Sequence, residues 1–242
     1  MLASTVPPCQ AYDPRSLSSL PIVKRPEPDV RAGSQDVFYY LTVYNENYVM
    51  PAMPDRRDRG RDRPGSVLVC RCRRIDDQAG HDPLLRLRPR RGPGGRRELA
   101  EHYDVGVELW SATSYKTLRE QAIDTERWNR FHPEEEPRTP LVAELLADAP
   151  GPIVAVSDFM RIVPEQVARF LPGRSFTPLG TDGMGRSDTR EALRRHFEVD
   201  AGHVVVAVLS ALAAQGEIKP EQVAEAIQRY GIDPEAASPI HS

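Results

Sequence analysis

From Val105 onward, short apolar runs alternate with segments of helical period, and that alternation most constrains how this 242-residue chain can fold. "YDVGVELWSAT" predicts a strand from about Val105 to Ser111, and "TLREQAIDTERWNRFH" sets Leu118, Ala122 and Trp128 near helical spacing among many charges. "TPLVAELLADAPGPIVAVSD" predicts a short helix, a Pro-Gly break and a strand at about 152–157. A helix over "PEQVARFL", opened by Pro164 at a favourable first-turn position, and a short apolar segment at "FTPLG" follow. In "SDTREALRRHFEVDA" Asp188 precedes Glu191 by three residues in the manner of a capping box, and Leu193 and Phe197 share a helix face. "AGHVVVAVLSALAAQGE" predicts an apolar helix whose valine run alone would read as a strand. "KPEQVAEAIQRYGI" predicts a last helix with Val223, Ile227 and Tyr230 on one face and Gly231 as its stop. Strands alternating with helices in this way predict an α/β layer with a largely parallel sheet.

Upstream, "DVFYYLTVYNEN" is a run of β-branched and aromatic residues closed by polar ones, which predicts a strand at about 37–43. "YVMPAMPD" then leaves through the breakers Pro51 and Pro54. Two stretches, about 15–34 and 56–97, follow no such pattern. In the second, Arg, Pro and Gly dominate and periodicity is lost, so composition predicts disorder.

The net charge of -3 gives no global drive toward nucleic acid or an acidic membrane, although roughly half of the arginines crowd between Arg56 and Arg97. Lysine is confined to Lys24, Lys116 and Lys219, a bias that GC-rich codons produce, which lowers the weight of arginine as binding evidence. About fourteen arginines in one stretch can neutralise phosphates. No aromatics interleave them and no known nucleic-acid motif surrounds them, so nucleic acid is an unfavoured partner. Cys9, Cys70 and Cys72 are too few and too oddly spaced for a disulfide framework or a closed zinc site, which fits a reducing cytoplasm. No signal segment and no run of roughly 18 apolar residues is present, so a soluble protein with no membrane partner is expected.

At "DVFYYLTVYNENYVMPAMPD" and again at "LGTDGMGRSDTREALRRHFEVDA" the chain closely resembles the homodimeric bacterial pyruvate dehydrogenase E1 component, a thiamine-diphosphate-dependent family. "LASTVPPCQAYDP", "WSATSYKTLRE", "ERWNRFHP" and "SDFMRIVPEQVARFLP" are similar to the same family in the same order. The resemblance covers roughly residues 1–14, 35–55 and 98–237. It implies an α/β fold: a transketolase C-terminal-like three-layer sheet with flanking helices over 98–237, a remnant of the pyrimidine-binding domain over 1–55, and a tail at 238–242. The resemblance stops at the two unpatterned stretches and resumes in register. Back-translating "RRDRGRDRPGSVLVCRCRR" with GC-rich codons and reading from the next base can give Asp-Gly-Ile-Glu-Asp-Gly-Ile-Val-Arg-Gly-Leu-Tyr, similar to what the family carries there. The two stretches are therefore read as compensated frameshifts, with a lineage-specific disordered insertion as the alternative.

The resemblance implies thiamine diphosphate and Mg²⁺ in the complete enzyme, a homodimer, and the E2 acyltransferase as partner. The family's metal-diphosphate site and its glutamate opposite the pyrimidine lie upstream of Met1, and its active-site histidine would fall within 15–34, where no histidine stands. No cofactor is expected on this chain alone, and no catalytic or metal residue is assigned. "GTDGMGRSD" has the glycines of a phosphate cradle without a phosphate-loop pattern. Gly180, Asp182, Gly183, Gly185, Arg186, Ser187 and Asp188 are read as a structural strand-to-helix turn or interface, with Gly183 and Gly185 permitting a tight path. Asn45, Glu46 and Asn47 end a strand at an edge where ligands often lie, yet packing is the preferred reading. His132 and His196 are read as packing histidines. Three functions stay open: an E1-derived piece, inactive by itself; a non-catalytic binding module with a basic loop; or a subunit encoded separately from its N-terminal half, which needs a partner to supply the cofactor site.

Overall fold

The apolar runs of the sequence become short strands, and the periodic segments become helices with identifiable caps. In the computed structural model, residues 9–12, 38–41, 71–74 and 95–242 are described, apart from 109, 111, 113, 148 and 150. In chain order the strands are β1 (Cys9–Tyr12), β2 (Phe38–Leu41), β3 (Arg71–Arg74), β4 (Val105–Glu108), β5 (Ile153–Val156) and β6 (Phe176–Leu179). The helices are α1 (Gly95–Tyr103), α2 (Tyr115–Phe131), α3 (Leu141–Leu146), α4 (Ile162–Glu165), α5 (Arg190–His196), α6 (Ala201–Ala214) and α7 (Pro220–Arg229). They fall into two units.

The first unit holds β1, β2, α2 and most of α3. β1 and β2 pair in parallel, with Cys9 opposite Phe38 and Tyr12 opposite Leu41. Ser114 caps α2, its Oγ accepting from the Thr117 N–H at 3.2 Å. Leu118, Ala122 and Thr125, four and three residues apart, form the buried stripe of α2. The Leu141 N–H donates to Gln121 Oε1 at 2.8 Å and so ties the start of α3 to α2.

The second unit is built around α6. Val205, Val208, Leu209 and Leu212 pack with Leu99 of α1, Val105 of β4, Val154 of β5, Leu179 of β6 and Ala226 of α7. β5 and β6 are parallel, with Ile153 opposite Phe176 and Val156 opposite Leu179. β3 and β4 are antiparallel, with Arg71 opposite Glu108 and Arg74 opposite Val105. Four residues of the arginine-rich stretch thus form a strand where composition offered none, and the described sheet pieces are mixed rather than all parallel. The combination of helices with small parallel strand pairs is a mixed α/β fold, as expected.

Three local expectations change. The segment 164–171 is not one helix: α4 ends at Glu165 and a 3₁₀ turn follows over Ala168–Phe170. Pro164, Val167 and Phe170, three apart, are all buried. That period suits i→i+3 turns, as in Phe170 N–H to Val167 O at 3.1 Å. The cap of α5 is Thr189, whose Oγ1 accepts from the Ala192 N–H, while Asp188 accepts from the Thr189 N–H. Lastly, Arg190–Ala214 has the length and apolar composition of a membrane span. Glu198, at φ +58°, and the Asp200 cap divide it into α5 and α6, and Val205 and Leu209 are fully buried.

Candidate functional site

Because β5 and β6 run parallel, the loops leaving their carboxyl ends meet at one edge, where α/β sheets commonly place ligands. One loop is Ser157–Arg161 and the other is the predicted glycine turn from Gly180. Thr181 joins them twice: its N–H donates to Phe159 O at 2.9 Å and its Oγ1 to Asp158 O at 3.0 Å. Asp182 joins them again, accepting from the Arg161 N–H at 2.9 Å and lying 3.5 Å from Arg161 Nε. Arg161 Nη2 also reaches Glu198 Oε2 at 3.5 Å. Arg161 is thus the central cation of this edge, and sequence reasoning passed over it. The available signal was charge: an arginine in the loop after one strand and an aspartate three residues beyond the end of the next.

The glycines differ in kind. A Cβ on Gly180 would sit 2.4 Å from Phe159 O and 2.7 Å from Arg161 N, so a side chain there would force the loops apart. Gly183 has φ +98°, and a Cβ there would sit 2.0 Å from Pro239 O. Pro239 is buried, so part of the segment read as a tail closes over the turn. Gly185 has neither a left-handed backbone nor any atom within 4 Å of a Cβ position, and the tight path is Gly183's alone. Arg186, Ser187 and Asp188 border a shallow cavity of about 480 Å³ whose other walls are Ala192, Leu193 and His196.

Around this turn the protein exposes large apolar side chains: Met160 (49%), Ile162 (45%), Met184 (76%) and Ile240 (52%). They lie on the segments that Gly180 and Gly183 hold together.

His132 ends α2, stacked on Trp128 at 4.3 Å with Nδ1 2.8 Å from Trp128 O. His196 packs edge-on against Phe197 at 4.8 Å, and its Nε2 is buried with no hydrogen-bond partner among the described residues. Asn45, Glu46 and Asn47 lie outside the described residues, as does most of the arginine-rich stretch.

A polar network holds the N-terminal end of α6. Asp200 Oδ1 accepts from the His203 N–H at 2.9 Å and lies 2.8 Å from His203 Nδ1, and Arg195 Nη1 donates to Oδ2 at 3.2 Å. Burial alone would raise the Asp200 pKa, but these hydrogen bonds and the charge of His203 outweigh it and hold the carboxyl at about 2. Tyr230 donates to Glu98 Oε2 at 2.9 Å; burial, then that bond to a carboxylate, pushes its phenol well above its ordinary range.

Among the described residues no three His, Cys, Asp or Glu side chains converge on a point where a metal could sit.

Comparison with known proteins agrees with this picture. The family model of the Transketolase-like TK C-terminal domain matches residues 94–200, from the start of α1 to the cap of α6. A pyruvate dehydrogenase E1 component of Pseudomonas aeruginosa is 41% identical over 249 residues, covering 99% of this chain and 27% of the relative. Those of Escherichia coli K12 and Mycobacterium tuberculosis are 40% and 38% identical, covering 97% and 99% of this chain and 26% of each relative. The chain spans about a quarter of the length of the curated relatives it matches. Residues 94–200 are thus similar to the transketolase-like C-terminal domain, and the chain as a whole is similar to the C-terminal region of pyruvate dehydrogenase E1 components.

Proposed function

We propose that this chain is the C-terminal part of a pyruvate dehydrogenase E1 component, which builds scaffold rather than performing chemistry. The complete form oxidatively decarboxylates pyruvate on thiamine diphosphate and Mg²⁺ and acetylates the lipoyl group of the E2 acyltransferase. It does so as a cytoplasmic homodimer. The observation that carries this reading is similarity at 38–41% identity along 97–99% of the chain to proteins of that name. Because the similarity runs past both unpatterned stretches, it also supports reading them as frame changes inside an otherwise matching sequence. The exposed Met160, Ile162, Met184 and Ile240 support an interface role for the turn, since they form the kind of apolar surface that a neighbouring domain or subunit covers.

Two assays test it. The purified chain with pyruvate, thiamine diphosphate and Mg²⁺ is expected to release no CO₂, and measurable decarboxylation would overturn the scaffold reading. A chimera that replaces the matching C-terminal residues of the Pseudomonas aeruginosa relative with residues 98–237 is expected to assemble and decarboxylate pyruvate. An assembled but wholly inactive chimera would refute the family role.

A further inference from the structure

The last turn of α1 meets the end of α7 through a histidine that has two competing partners. Arg229 Nη2 lies 2.7 Å from His102 Nε2, and Glu98 Oε2 lies 3.5 Å from the same nitrogen. Guanidinium nitrogens only donate, so at the shorter contact Nε2 is a bare lone pair and the ring carries its single proton on Nδ1. Arg229 therefore ties α7 to α1 only while His102 is uncharged. Glu98 stands four residues before His102 on one face of α1, and its Oε2 also accepts from the Tyr230 O–H at 2.9 Å. Glu101, Tyr103 and Asp104 flank His102 in the chain, and on α7 Glu225 stands four residues before Arg229. α6 and β4 meet α1 through apolar residues: Val205, Val208, Leu209 and Val105.

A second proton on the ring changes both contacts. Nε2 then carries a hydrogen and faces Arg229 donor to donor and cation to cation. Glu98 offers the same nitrogen a carboxylate acceptor, and the carbonyl end of α1 favours a positive charge in its last turn. We propose that His102 is a proton-operated switch between α1 and α7: uncharged it accepts from Arg229 across the helices, and charged it donates to Glu98 within α1 and releases Arg229. Burial and the neighbouring Glu98 keep the Tyr230 phenol protonated, so its bond to Glu98 holds α7 docked in both states. As the pH falls through roughly 8 to 5, where imidazoles gain their second proton, the exposed end of α7 acquires a released guanidinium.

The test is nitrogen-15 NMR of the full chain, whose six histidines are told apart by the loss of one signal in His102→Gln. At about pH 8 His102 is expected as the Nδ1–H tautomer, recognised by its pair of ring-nitrogen shifts. On acidification the Arg229 side-chain Nε–H resonance, assigned by its loss in Arg229→Met, is expected to move together with the His102 transition. In His102→Gln it is expected to lose that response. Arg229→Met removes the opposing cation and is expected to shift the His102 transition to higher pH. Glu98→Gln keeps an acceptor for Tyr230 but removes the attracting charge, and is expected to shift it to lower pH. An Nε2–H tautomer in the uncharged ring, an Arg229 signal indifferent to the His102 transition, or a transition that neither substitution moves overturns the proposal. His102 and Arg229 are both exposed, so the variant chains are expected to fold, and unchanged signals of the other histidines verify this.

Discussion

Gly183 and Gly185 stand two residues apart in one turn and obey different physics. Gly183 combines φ +98° with a Cβ position 2.0 Å from Pro239 O, so Gly183→Ala is expected to destabilise its unit by about 2–4 kcal/mol in urea denaturation. Gly185→Ala meets nothing and is expected to stay within about 0.5 kcal/mol of the parent. The glycines of the turn were legible in the sequence as backbone residues; which of them mattered was not, because the decisive atom belongs to Pro239, far away in the chain. Asp200 makes a second prediction. Its folded pKa, about 2, lies below its ordinary value of 3.8, so its stabilising contribution is complete above about pH 4. That contribution is lost as the pH falls toward 2. Asp200→Asn is expected to flatten the acid limb of a stability-versus-pH curve across that window while lowering stability at pH 7.

At the scale of elements, α6 shows how tertiary burial overrides local preference. Val204, Val205 and Val206 favour strands by their branching. Yet the Asp200 cap and the spacing of Val205, Val208, Leu209 and Leu212 make the segment a helix buried on one side. That helix was legible because its apolar residues persist for several turns. The α1 helix was not: Leu99 and Tyr103 are its few apolar residues, and a single i, i+4 pair among charges gives no readable period. The 3₁₀ turn at Ala168–Phe170 reads as helix in the sequence because spacings of three and four look alike over eight residues. Leu209→Ala is expected to cost about 2–4 kcal/mol, against less than about 0.5 kcal/mol for the exposed Ser210→Ala, as read from denaturation midpoints at constant slope.

At the scale of the whole molecule, the family was legible because long strings matched in order, whereas no single residue here names a keto acid. The strand-edge loops, with Arg161 tied to Asp182 and Glu198, were beyond reach of sequence because the pairing spans separate elements. The segment around Pro239 is the least expected part of this assembly. Removing residues 238–242 is expected to speed tryptic cleavage after Arg186 severalfold, while cleavage after Arg169, whose neighbour Phe170 is buried, stays slow. The same contact has a consequence for biosynthesis. A ribosome adds roughly 5–20 residues per second, so Gly183 is in place seconds before Pro239 is joined to the chain. The strand-to-helix turn must therefore wait, unclasped, until the residues around Pro239 arrive to close it.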